Sequence, residues 1–153
     1  MLKVHKLIAT CFGIGYIGKG GGTVAALVCC VVWYVIQANS TVVYFSGQLL
    51  VTLFITIIGI WSATKVDPYW GKDSSKVVID EVAGMCVSVL FIPVKWKYLL
   101  TGLILFRFFD IAKPLLIRKT EKLPLGWGVM IDDLLAGLYS NLLLQVAVLS
   151  NFL

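Results

Sequence analysis

Five apolar stretches succeed one another along this chain, separated by short loops rich in glycine, proline and charge. The first covers residues 24–37, follows the run Gly20-Gly21-Gly22 and is closed by the turn-like Ala38-Asn39-Ser40. The second, 49–63, gives way to the polar loop Asp67-Pro68-Tyr69-Trp70-Gly71-Lys72-Asp73-Ser74-Ser75-Lys76. The third, 77–92, stops before Pro93, which cannot continue a helix without losing a backbone hydrogen bond; Ser74 or Ser75 is placed to cap its start. The fourth, 97–112, ends at Lys113-Pro114, and the fifth covers 128–149. Ahead of them, 7–17 is too short to span a bilayer and is expected to be an interfacial or re-entrant helix. It leads into Lys19 and glycines instead of a small-x-small cleavage site, which argues against a cleaved signal peptide. The predicted fold is an all-α integral membrane protein: a compact bundle of four to five transmembrane helices plus the short N-terminal helix, with residues 1–153 forming one membrane-embedded domain.

Composition supports this pattern. Hydrophobic residues make up 59% of the chain and charged ones 14%, and the mean hydropathy is +0.94, well outside the range of soluble domains. A net charge of +5 could suggest nucleic acid, but the basic residues sit in short clusters beside apolar segments. There they attract anionic headgroups and set topology, so membrane lipids are the expected partners and nucleic acid is not. The basic clusters are Lys3, Lys6 and Lys19, then Lys65, Lys72 and Lys76, then Lys113, Arg118, Lys119 and Lys122. Residues 37–48 and the C-terminus carry no charge. This alternation predicts the N-terminus inside and the C-terminus outside, with Lys95 and Lys97 a mild exception. Cys11, Cys29, Cys30 and Cys86 lie in apolar surroundings without a Cys-x-x-Cys pair or partnering histidines, so they read as small core residues.

Five of the eight acidic residues gather at the ends of these apolar runs, as Asp80-Glu81, Asp110 and Asp132-Asp133. A carboxylate where lipid begins is costly unless paired or bound to a cation, which makes such groups candidates for function. The predicted topology brings Thr23, Asp80, Glu81, Arg107, Asp110, Asp132 and Asp133 to the cytoplasmic ends of their helices. Gly84 follows Asp80 by four residues and Gly137 follows Asp133 by four, so each glycine shares a helix face with a carboxylate and permits close helix approach.

Two acidic pairs brought together would repel unless a divalent cation neutralised them. An all-oxygen ligand set without histidine or thiolate favours Mg²⁺, which binds a few carboxylates and keeps sites for phosphate oxygens. Asp80, Glu81, Asp132 and Asp133 are therefore the expected metal ligands and, with Asp110, the expected catalytic acids. Arg107 offers a planar fork for phosphate, Lys113 a point charge, and Thr23 a glycine-flanked helix start where backbone N–H groups face an anion. Arg107, Asp110 and Lys113, at i, i+3 and i+6, are expected to form a ladder along one helix. The motifs of phosphocysteine, phosphoaspartate and phosphohistidine chemistry are absent, and His5 stands apart from the acidic runs. Metal-assisted attack of water on a phosphate ester remains. A cation transporter is the alternative, but it would call for polar residues through the full membrane depth, and the helix middles are almost purely apolar.

The segments Ile79-Asp80-Glu81-Val82-Ala83-Gly84-Met85, Phe106-Arg107-Phe108-Phe109-Asp110-Ile111-Ala112-Lys113-Pro114 and Gly126-Trp127-Gly128-Val129-Met130-Ile131-Asp132-Asp133-Leu134-Leu135-Ala136-Gly137 resemble the signature segments of the bacterial phosphatidylglycerophosphatase A family. The resemblance implies a Mg²⁺-dependent inner-membrane phosphatase that converts phosphatidylglycerophosphate, an anionic phospholipid, to phosphatidylglycerol at the cytoplasmic face. It also implies that the acidic runs and the Arg107–Lys113 run form the active site. The family's Pro-Gly-Thr-x-Gly-Ser near the first helix is altered here to Gly21-Gly22-Thr23-Val24-Ala25-Ala26.

Overall fold

A backbone that passes through hydrocarbon has to satisfy its own N–H and C=O groups, and a helix does so within one segment. The structure is a computed structural model that describes residues 2–38, 45–114, 116–120 and 122–152. The described elements are α-helices α1 (Leu2–Ala9), α2 (Gly21–Ala38), α3 (Phe45–Trp70), α4 (Ile79–Ser88), α5 (Trp96–Ala112), α6 (Ile117–Thr120) and α7 (Gly126–Leu149), with a 3₁₀ turn at Ile14–Ile17. The fold is all-α. Helices α3 and α7, of 26 and 24 residues, are long and apolar enough to cross a membrane; α2 and α5 are apolar but shorter. The remainder of the turn expected at 38–40 lies outside the described residues.

The N-terminal segment is not the single 7–17 helix that its hydropathy suggests. Helix α1 starts earlier and ends at Ala9, because Cys11, Phe12 and Gly13 adopt left-handed backbone with φ of 44°, 58° and 102°. The Thr10 hydroxyl donates to the Lys6 carbonyl (2.8 Å) and accepts from the Gly13 N–H (3.1 Å), which closes the break. Helix α1 lies along α3 and extends the latter's usefulness past its expected end at residue 63. The Lys6 ammonium stands 5.7 Å from the Tyr69 ring centre and 5.4 Å from that of Trp70, and Val66 is fully buried beneath. Packing and cation–π contact thus carry α3 through Lys65, Asp67 and Pro68 to Trp70.

Helix α4 is shorter than the expected 77–92 run at both ends. Its start carries no side-chain cap; instead the Val78 N–H donates to the Ala9 carbonyl at 2.9 Å, while Ser74 accepts only a marginal bond from the Lys76 N–H at 3.5 Å. At its other end neighbouring helices take over the backbone groups. Asn141 of α7 donates to the carbonyls of Ser88 (3.0 Å) and Leu90 (2.9 Å), and Gln48 of α3 accepts the Phe91 N–H (3.2 Å). Ser88 and Ser140 share a 2.6 Å hydrogen bond beside the Gly102 carbonyl. With ten residues, α4 is ~15 Å long, half the ~30 Å hydrocarbon thickness.

That short helix is the hub. On one side Met85, Cys86, Val89, Leu99, Phe106 and Ala136 form a core with Cys29, Cys30 and Trp33 of α2. On the other, Ile79 and Ala83 pack with Ala63, Val66 and Met130. Cys29, Cys30 and Cys86 are buried and all four cysteines are free thiols, in keeping with their expected role as packing residues. By contrast α2 and α3 barely touch. Between them an apolar cleft of about 450 Å³ opens, lined by residues such as Val28, Val32, Phe54 and Ile58, with Ile79, Val82 and Cys86 of α4 as its floor.

Candidate functional site

The glycines bring the acidic residues together. A Cβ on Gly137 would collide with the Gly84 carbonyl oxygen, and one on Gly84 would meet the Phe106 ring and the Asp133 carbonyl. Only glycine at both positions lets α4 and α7 approach this closely, as their spacing from Asp80 and Asp133 predicts. Helix α7 is also pressed onto α3: Gly126 donates to the Thr64 hydroxyl (3.2 Å), and a side chain there would strike the backbone of Ile60 and Thr64.

Asp80, Glu81 and Asp133 converge as a result, and one carboxylate oxygen from each lies within 4.8 Å of the others. The Asp80 and Asp133 side chains are deeply buried, with 6% and 4% exposure. Each acidic pair is held by the same local contact, in which the first aspartate accepts the next residue's N–H: Asp80 from Glu81 at 3.0 Å and Asp132 from Asp133 at 3.1 Å. Glu81 Oε2 is buried without a hydrogen-bond partner. Its carboxylate rests on Gly22, where any Cβ would overlap it. The first turn of α2 therefore lies against a carboxylate, and Thr23 in the same turn is exposed.

Asp132, expected beside these three, points elsewhere. Its Oδ2 pairs with the Lys113 ammonium at 2.8 Å. The expected ladder on α5 breaks for the same reason: Lys113 is already outside the helix, in left-handed backbone with φ 43°, and so reaches across to α7 instead of lying along α5. The other half of the ladder is present. Arg107 Nη1 stands 2.7 Å from Asp110 Oδ2. That ion pair engages Nη1, while the buried Nε of Arg107 has no hydrogen-bond partner. Asp110 in turn comes within hydrogen-bonding reach of Asp133, which joins the arginine to the carboxylate cluster.

This arrangement suits a divalent cation and an anion together. Three carboxylates, those of Asp80 and Asp133 buried and that of half-buried Glu81 with one unpartnered oxygen, form an all-oxygen donor set of the kind Mg²⁺ takes, and the Arg107 guanidinium is linked to them through Asp110. The residues present therefore fit the metal that the acidic runs suggested. A model of the family described as phosphatidylglycerophosphatase A matches residues 7–148. The chain belongs to the phosphatidylglycerophosphatase A family. It is an enzyme of the hydrolase class. Two curated family members, the phosphatidylglycerophosphatases A of Haemophilus influenzae and Escherichia coli, are 34% and 30% identical to it. The matches cover 92% of this chain in each case, and 86% and 81% of theirs. A Bacteroides thetaiotaomicron protein named "Putative phosphatidylinositol-3-phosphatase" is 42% identical over 92% of this chain and 91% of its own. No solved structure matches this phosphatidylglycerophosphatase A family chain.

Sequence reasoning missed two parts of the site. The Asp132–Lys113 pair follows from Lys113 leaving its helix before Pro114, a break that the proline alone signals. The role of Gly22 as a seat for Glu81 has no local signal beyond the glycine run.

Proposed function

We propose that this phosphatase hydrolyses the terminal phosphate monoester of phosphatidylglycerophosphate to give phosphatidylglycerol and inorganic phosphate, with Mg²⁺ held by Asp80, Glu81 and Asp133. The observation that carries this reading is the presence together of a buried carboxylate oxygen on Glu81 and a buried Nε–H on Arg107, neither with a hydrogen-bond partner. Such groups are costly without a ligand, and a cation and a phosphate would satisfy both. When bound, the ion supplies Lewis acidity that offsets charge on the phosphoryl oxygens and makes water a better nucleophile. Arg107 holds the phosphate, with Asp110 fixing the guanidinium; Lys113, steadied by Asp132, adds positive charge as the P–O ester bond lengthens. A carboxylate of the cluster accepts the proton of the attacking water and returns it to the departing alkoxide. Thr23, at the mouth formed by α2, is the remaining phosphate contact.

The apolar cleft floored by the helix that carries Asp80 and Glu81 supports a substrate with acyl chains. The membrane-embedded unit comprises the whole chain, crosses the bacterial inner membrane several times, and faces its acidic end to the cytoplasm, in accord with the lysine clusters. The higher identity to the Bacteroides protein named as a phosphatidylinositol-3-phosphatase, together with the altered segment Gly21–Ala26, favours a second reading of the headgroup, an inositol lipid. Purified protein in detergent is expected to release phosphate from one of these two lipids with Mg²⁺ and to stop in EDTA; full turnover in EDTA would sink the metal role.

Gly22→Ala supplies a separate check. The new methyl displaces the flexible end of Glu81, so the fold survives at a cost of about 1 kcal/mol, while misplacing one ligand lowers turnover by up to ~100-fold. Melting curves and phosphate release on the same preparation measure the two effects; a proportionate fall in both would count against a role for Glu81.

A further inference from the structure

Next to the Asp132–Lys113 pair lies a hollow of about 250 Å³ lined by Lys72, Asp73, Gly128, Val129 and Asp132. It is many times the ~30 Å³ that one liquid water occupies. Its walls come from the loop between α3 and α4 and from the first two turns of α7, so it is a different space from the α2–α3 cleft. The Asp132 carboxylate is common to this hollow and to the Lys113 ion pair, and Asp133, the next residue, belongs to the carboxylate cluster. Asp73 is close enough to Asp132 for their charges to interact. It adopts left-handed backbone, φ 55°, just before a turn closed by the Val77 N–H on the Ser74 carbonyl at 2.8 Å.

The chemistry of these walls decides what fits. Two carboxylates repel a phosphate, so the hollow is not a second phosphate site. Carboxylates accept hydrogen bonds from hydroxyl groups and an ammonium donates to them, which is the complement of a polyol. The α2–α3 cleft is apolar and suits acyl chains; this one presents the charged side chains of Lys72, Asp73 and Asp132 beside Gly128 and Val129. We infer that the hollow receives the hydroxylated part of the lipid headgroup, glycerol or inositol, and that Asp73 and Lys72 determine headgroup specificity. This rests on the phosphomonoesterase reading of the adjoining cluster.

The test uses full-length protein in detergent micelles with Mg²⁺, the variants Asp73→Asn and Lys72→Met, and the lipid that the wild type hydrolyses. Asparagine tolerates the left-handed backbone at this position, and both side chains are exposed, so folding is expected to be unaffected. Each variant should lower kcat/KM for the lipid about tenfold, mainly through KM, as expected for loss of a charge-assisted hydrogen bond. The inhibition constant of inorganic phosphate, which probes the phosphate subsite alone, should stay at the wild-type value. Unchanged kcat/KM, or a parallel rise in the phosphate inhibition constant, would overturn the assignment. A wild-type protein that hydrolyses neither lipid would instead overturn the phosphatase reading on which it rests.

Discussion

Asparagine in place of Asp80 or Asp133 is expected to lower turnover by more than ~100-fold, since even the outer partners of metal ligands are worth 10–100-fold. The substitution preserves shape and removes charge. Without metal, the three carboxylates of Asp80, Glu81 and Asp133 share a space where their oxygens come within 4.8 Å, and removing one charge relieves repulsion. The variants should therefore melt no lower than the wild type in EDTA. Saturating Mg²⁺ should raise the wild-type Tm by mass action and raise that of the variants much less. Asp132→Asn serves as the contrast. Because Asp132 pairs with Lys113, its loss should leave the Mg²⁺ dependence of Tm in place while weakening substrate affinity. Melting curves with and without Mg²⁺, set beside phosphate release, measure all three variants. An equal Mg²⁺ response in Asp133→Asn and wild type would remove these residues from the metal site.

The helices were legible because the bilayer imposes one rule everywhere: an apolar run has to be helical. Where the sequence misled, tertiary contacts had replaced local signals. Lys65, Asp67 and Pro68 look like a helix stop, yet α1 packs beneath and Lys6 lies over Tyr69 and Trp70. Pro93 looks like the end of the third helix, but side chains from Gln48 and Asn141 satisfy the backbone several residues earlier. Neither partner is near in sequence. No window of residues around Ser88 or Trp70 could have revealed them.

The candidate site was legible at the level of which residue types gather at one end of the bundle. Gly84 and Gly137, each four residues from a carboxylate, were enough to bring Asp80 and Asp133 together, since helix spacing fixes which residues share a face. The division of the acids was not legible. Asp132 and Asp133 are neighbours in sequence but lie about 100° apart around a helix, so one faces α4 and the other meets Lys113. Which of them does which depends on how α7 is rotated, and Gly126 packed against Ile60 and Thr64 sets that rotation from a third helix.

The second large effect expected is structural and comes from Gly137→Ala. The added methyl would meet the Gly84 carbonyl oxygen, with the Gly84 carbonyl carbon at 3.0 Å and Val87 Cβ at 3.1 Å. Backbone cannot step aside as a flexible side chain does, so the helices have to separate. Overpacking of this kind costs about 1–3 kcal/mol, and a clash with backbone belongs at the upper end. Gly102→Ala is the matched control, because its new methyl would meet mainly side-chain atoms, Val89 Cγ1 at 3.2 Å and Leu144 Cδ2 at 3.3 Å, which can shift by a few tenths of an ångström. Separation at Gly137 also moves Asp133 away from Asp80, one helical turn along. The Mg²⁺ concentration for half-maximal activity should therefore rise in Gly137→Ala and stay constant in Gly102→Ala. Denaturation in detergent gives the stability difference, and Mg²⁺ titration of phosphate release gives the coupling. A Gly137→Ala protein as stable as the wild type would mean that α4 and α7 do not depend on this contact. One that is destabilised but keeps its Mg²⁺ requirement would separate the packing of the two helices from the geometry of the carboxylates they carry.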